Sequence, residues 1–223
     1  MRILAAAIFG FALCSASVAA AQDPDATPEE AQGVDLITNG DPSDDAEGRR
    51  LLEIAAAANR PEAMNNLSYV LRVGIGGPAD PTRGDELLRR AAELGSIGAN
   101  LTISEFYVRG IEGYPRDLTL GLEHARRAAE ATTNPFGASL AQFRVGSMIL
   151  NGIGTPADPA TGYAWLLRAA NNGSTQGMNY VAALLATGRG VAEDDVAARE
   201  WYRRARRSAA RQAVRARCSH WAA

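Results

Sequence analysis

Two histidines and two cysteines are the side chains best suited to nucleophilic, acid–base or metal chemistry in these 223 residues, and their spacing defeats each use. His124 and His220 stand most of the C-terminal half apart, so no cluster has metal-ligand spacing. There is no Gly-x-Ser-x-Gly, no Cys-x-x-Cys and no His-Glu-x-x-His. All 23 basic residues are arginine, which removes the phosphate-loop lysine, the Schiff-base lysine and the Ser-x-x-Lys nucleophile together. Gly74-Ile-Gly76 and Gly152-Ile-Gly154 have the look of nucleotide loops, but they lack a third glycine and follow helical instead of strand periodicity. The pair Asp194-Asp195 sits at a helix start, where the helix dipole accounts for it. No catalytic residue, metal site or cofactor is expected.

The elements that position these side chains come from an internal repeat. Asp44, Asp80, Asp117, Asp158 and Asp194 share a register with steps of 36, 37, 41 and 36 residues. Four residues after each aspartate is a small side chain, namely Gly48, Gly84, Gly121, Gly162 or Ala198, and eleven after it an alanine. Seven after it comes Leu51, Leu87, His124, Trp165 or Trp201, which makes His124 a packing histidine in preference to a general base. These positions share one face of a 3.6-residue helix whose start the aspartate caps, here called helix B. A second amphipathic segment, helix A, precedes it and ends at Gly74, Gly110, Gly152 or Gly188. Small and large side chains alternate along it as two closely packed helices require: Leu67-Ser68, Ile103-Ser104, Val145-Gly146, Val181-Ala182. A fixed period of this length is the mark of a solenoid.

The unit small-x3-Leu-small-x2-Tyr-x2-Gly-x-Gly followed by Asp-x3-small-x2-Trp-Tyr-x2-Ala-Ala resembles the Sel-one-like repeat (SLR), a relative of the tetratricopeptide repeat. The last two copies, residues 152–173 with Trp165 and 188–205 with Trp201-Tyr202, carry the resemblance best, and it extends over roughly residues 40–208. It implies an all-α, right-handed superhelical solenoid of helix-turn-helix repeats, about four and a half of them over 44–208. The first unit lacks a recognisable helix A, with Ala31 and Asp35 in the expected slots. His124-Ala125 replaces the aromatic pair in the third unit, and residues 132–140 carry about five extra residues.

Residues 1–21 read as a secretory signal: Met1-Arg2, an apolar run, and Ala19-Ala20-Ala21 before Gln22-Asp23. The alternative is an uncleaved anchor. Cleavage would leave a periplasmic or secreted protein with Cys218 alone, hence no internal disulfide and no further membrane-crossing stretch. Residues 23–47 hold nine acids and no base, so 22–43 reads as a solvated leader with a helix start at Thr27-Pro28-Glu29-Glu30. Residues 199–217 hold eight arginines and one glutamate; 209–223 reads as a polar cap or tail, with an anionic surface as a second use and nucleic acid disfavoured by export.

With no chemistry in sight, the expected function is that of an interaction scaffold or adaptor in the cell envelope, offering a concave helical groove to a protein or peptide. The resemblance implies the same, and adds regulation of a membrane signalling or assembly complex. The helix A positions not consumed by packing are the candidate contacts: Asn66, Tyr69, Arg72, Glu105, Arg109, Phe143, Arg144, Asn151 and Tyr180. Tyrosine, phenylalanine and arginine are the types enriched where binding energy concentrates. The alternative is an enzyme or small-ligand binder acting on cell-wall compounds, built around His124 or a carboxylate pair near the insertion at 132–136.

Overall fold

The computed structural model describes residues 26–130 and 135–221, with side chains to residue 212 except at 135 and 136. The apolar leader, the loop at 131–134 and the side chain of Cys218 lie outside the described residues. Among those described, ten helices and no strand are present: α1 Pro28–Thr38, α2 Asp45–Ala57, α3 Pro61–Val73, α4 Pro81–Glu93, α5 Ile97–Arg109, α6 Leu118–Ala129, α7 Pro135–Asn151, α8 Pro159–Asn171, α9 Thr175–Thr187 and α10 Asp195–Trp221. The chain divides into two compact units, residues 1–106 and 107–223, the boundary falling inside α5.

Within the first unit α1 packs on α2, α2 on α3 and α3 on α4; within the second, α6 packs on α7, α7 on α8, α8 on α9 and α9 on α10. Each hairpin closes on small residues. A Cβ on Gly84 would meet Ser68 O at 2.9 Å, and one on Gly162 would meet the backbone of Leu150 at the same distance. The core of the second unit is aliphatic, with Leu150, Leu166, Val181 and Leu185 buried together and Trp201 and Tyr163 packed against them.

Four of the five register aspartates tie two helices at once. Asp80, Asp117, Asp158 and Asp194 accept from backbone N–H groups of the first turn of α4, α6, α8 and α10 through Oδ1. Their own N–H groups donate back to Leu71, Tyr107, Ile149 and Leu185 at the ends of the preceding helices. Asp44 departs from the rule: it makes no side-chain cap, and its Oδ2 accepts from Asn39 Nδ2 at 2.7 Å.

The first unit has the helix A that the register failed to find. Helix α1 buries Gly33 and Val34 against α2, and a Cβ on Gly33 would meet Gly48 O and the side chains of Leu51 and Leu52 at 3.1–3.2 Å. Gly33 plays the part of Ser68, but one residue fewer separates it from its aspartate, so counting back at fixed distance landed on the wrong slots. The start at Thr27 is as expected, its Oγ1 accepting the Glu30 N–H at 3.2 Å. At the other end α10 runs unbroken to Trp221, into the stretch read as a cap or tail.

Candidate interaction surface

In the first unit the sequence-named contacts are largely spoken for by packing. Asn66 on α3 is 8% exposed. The Arg72 side chain, 7% exposed, pairs with Asp85 of α4 and holds its guanidinium carbon 4.9 Å from the centroid of the Phe106 ring. Tyr69 is half-buried, and burial pushes its hydroxyl pKa up. Glu105 is half-buried on α5.

Two carboxylates inside this unit escaped the sequence reading. Glu30 is fully buried, with Arg60 Nε 3.3 Å from its Oε2. Glu62, at the start of α3, reaches across one repeat to the N-terminus of α5, where its Oε1 accepts the Ile97 N–H at 2.9 Å. Burial pushes the Glu62 carboxyl above the ordinary glutamate range; bonds from Ser96, Ile97 and Gly98 oppose the shift, and neighbouring Glu30 adds to it. Their signal in the sequence was masked, since Glu30 stood in an acid-rich stretch that composition assigns to solvent.

In the second unit the named residues fall into two groups. Around the start lie Arg109, exposed at the end of α5, and an aromatic cluster: Tyr107 meets Tyr114 edge-on at 5.0 Å and stacks on His124 at 5.8 Å. Half-buried His124 has its pKa lowered by burial first and by Arg127 second, with Glu123 opposing, so it is neutral near pH 7.

The other group comes together on adjoining stripes of α7 and α9. Leu140, Phe143, Arg144, Ser147 and Asn151 recur at three- and four-residue spacing on one side of α7, partly or fully exposed. Gln176, Tyr180, Ala183 and Thr187 do the same on α9. The stripes meet in the middle, where Phe143 and Tyr180 pack edge to face with centroids 5.2 Å apart. Phe143 is anchored on the aliphatic core, while Tyr180 stays 40% exposed.

They meet again at their ends through a residue the sequence reading passed over. Arg189 Nη2 donates to Leu150 O at 2.9 Å and to Asn151 Oδ1 at 3.5 Å. Asn151 is itself oriented by its Nδ2 donating to Ser147 O at 2.9 Å. A signal for Arg189 did exist: the loops Gly74-Ile-Gly76, Gly110-Ile-Glu112 and Gly152-Ile-Gly154 have isoleucine where Gly188-Arg-Gly190 has arginine.

On α10 the side chains of Val196, Glu200, Arg203, Arg204 and Arg207 line a shallow concavity, with Val196 75% exposed. Among the described residues no group of histidine, cysteine or carboxylate side chains could hold a metal ion, and no helix is long and apolar enough to cross a membrane.

Comparison with known proteins agrees with this architecture. The family model described as the Sel1 repeat matches residues 35–59, 61–96, 100–132, 139–174 and 175–208. Of solved structures, a Sel1 repeat protein from Oxalobacter formigenes superposes with a TM-score of 0.69 at 26% identity, over 82% of this chain and 75% of its own. A protective antigen of uropathogenic Escherichia coli with an SLR fold gives 0.67 at 24% identity, over 80% of this chain and 37% of its own, a likeness of fold alone. Among curated proteins, chitin synthase regulatory factor 3 of Schizosaccharomyces pombe is 37% identical over 100 residues, 44% of this chain and 10% of that protein. An exopolysaccharide production negative regulator of Rhizobium leguminosarum bv. viciae is 31% identical over 94 residues, 40% of this chain and 34% of that protein. The matches thus span a minor part of both regulators.

Proposed function

Because the chain belongs to the Sel1 repeat family, whose repeats in general mediate contacts between proteins, we propose that it is a non-enzymatic scaffold that holds a protein partner along helix A surfaces and acts in regulation. The observation that carries this reading is the joined stripe of α7 and α9, where Tyr180 packs on an anchored Phe143 and stays 40% exposed among the described residues. A rigid, preformed surface binds without ordering itself, which lowers the entropic cost of association. The names of the two matching regulators support the regulatory part. The non-enzymatic part is supported by His124, which is stacked on Tyr107 with its pKa driven down, and by the lack of a clustered nucleophile among the described residues. Export to the envelope is part of the proposal, and rests on the apolar run 3–21 and the alanines that close it.

A photo-crosslinking residue placed at Ala183, with a control at Arg168 on the exposed side of α8, tests the surface directly. Defined adducts are expected from position 183 and not from 168. Equal adducts from both, or none from 183 in cells that produce the protein, would overturn the assignment.

A further inference from the structure

The joined stripe of α7 and α9 is asymmetric in charge. Neither helix contains an aspartate or glutamate, and α9 has no charged residue at all. At the far end of the stripe stands Arg189, fixed by two neutral acceptors, the Leu150 carbonyl and the Asn151 amide. Among the described residues no carboxylate pairs with it. A guanidinium has five N–H donors, so most of its capacity stays open while its direction is set. Phe143 and Asn151 lie eight residues apart on α7, which at 1.5 Å per residue separates the ring pair from the arginine by about 12 Å. An extended chain covers that length in three to four residues at about 3.3 Å each. The rings of the two helices touch and bridge the stripes into one continuous surface, along which an extended segment can reach from the rings to the arginine.

We propose that this stripe binds an extended segment of a partner protein carrying a carboxylate three or four residues from an apolar side chain. The apolar side chain lies on Tyr180 and Phe143, beside the small Ala183, and the carboxylate is received by Arg189. The inference rests on the scaffold reading and narrows it to the chemistry of the partner. Arg189 is the specificity-determining contact, since a neutral or basic residue at the same position in the partner leaves the guanidinium unmatched or repelled.

The test uses a displayed library of random dodecapeptides panned on the full chain, with enriched sequences resynthesised with a fluorescein label and titrated by anisotropy. Enriched peptides are expected to share an aspartate or glutamate three or four positions from a leucine, isoleucine or aromatic residue. Replacing that acid by its amide should weaken binding to the wild type about ten-fold, a charge-assisted hydrogen bond's worth, but binding to Arg189→Gln by less than two-fold. Tyr180→Ala should weaken every enriched peptide. The acid-to-amide change in the peptide tests the proposal on the unmodified protein, whatever Arg189→Gln does to stability. Peptides lost on Tyr180→Ala but without an acidic preference would overturn the carboxylate assignment and leave the scaffold reading intact. Peptides indifferent to both variants, or no enrichment at all, would overturn both. So would a chain that sediments as a dimer dissolved by Tyr180→Ala, because the stripe would then be the seat of a second copy.

Discussion

At the scale of single residues, buried charge separates what holds the first unit together from what its surface offers. Arg72 was a candidate contact, yet it lies against Phe106 and pairs with Asp85. Removing one partner of such a pair strands the other, so Arg72→Ala should lower the unfolding free energy by about 3 kcal/mol, as read by urea titration. Glu62 makes a different prediction. Its folded pKa is raised, so the native state holds a proton that the unfolded state has released over the window that begins at the ordinary value of 4.5. The stability Glu62 contributes is therefore complete below pH 4.5 and declines as pH rises through its raised pKa. Thermal melts from pH 4.5 to 8 should show the wild type losing ground to Glu62→Gln as pH increases; a constant gap would mean that the carboxyl is not desolvated. Neither the full burial of Glu30 nor the partial burial of Glu62 was legible in the sequence. A glutamate's type says solvent, and only the fold, which sets Arg60 beside Glu30 and the N-terminus of α5 beside Glu62, overrules it.

At the scale of elements most of the fold was legible, because in four repeats the boundary between helix A and helix B is written twice: once in the capping aspartate and once in the glycine that ends the helix before it. Asp80, Asp117, Asp158 and Asp194 cap as the register required, and Asp44 does not. Asp158→Ala should thus lower the denaturation midpoint measurably, and Asp44→Ala less, a contrast that paired chemical denaturation curves would resolve. The Thr161 hydroxyl and N–H hold the Asp158 pKa below 3.8, so its contribution is present above that pH and is lost as pH falls through the lowered value. The second glycine of three of the loops, Gly76, Gly154 and Gly190, has a tighter duty. Gly154 sits at φ +75°, and a Cβ there would collide with the Leu118 carbonyl at the start of α6. Gly154→Ala should destabilise by roughly 3 kcal/mol or more, since it combines left-handed strain with a backbone clash. What the register missed, helix α1, it missed by one residue of loop. A fixed count cannot see a deletion, whereas the helical phase of Gly33, Val34 and Ile37 against Gly48 could have shown it.

At the scale of the whole molecule, the repeats make stability local. Each hairpin buries its apolar face chiefly on its sequence neighbours, so opening free energies should follow position in the array instead of being uniform. Amide exchange is expected to be fastest in α1 and in the C-terminal half of α10, and slowest in α7 to α9, which share in four packed interfaces; uniform protection would contradict nearest-neighbour stabilisation. The candidate contacts divide at this scale. Phe143, Arg144, Asn151 and Tyr180 come together on one surface, whereas Asn66 and Arg72 are turned into the packing of the other unit. The helical period places all of them on helix A, but cannot tell a stripe that faces water from one that faces a neighbouring hairpin.

The departures from the repeat are few, and they are where the molecule is individual. Glu112 holds a left-handed backbone, φ +59°, at a place where three other loops use glycine, and Arg189 occupies the middle of a loop whose counterparts carry isoleucine. An idealised array engineered by averaging the five copies would replace both. Such a protein would gain heat resistance at residue 112, and at residue 189 it would forget which ligand it was made to recognise.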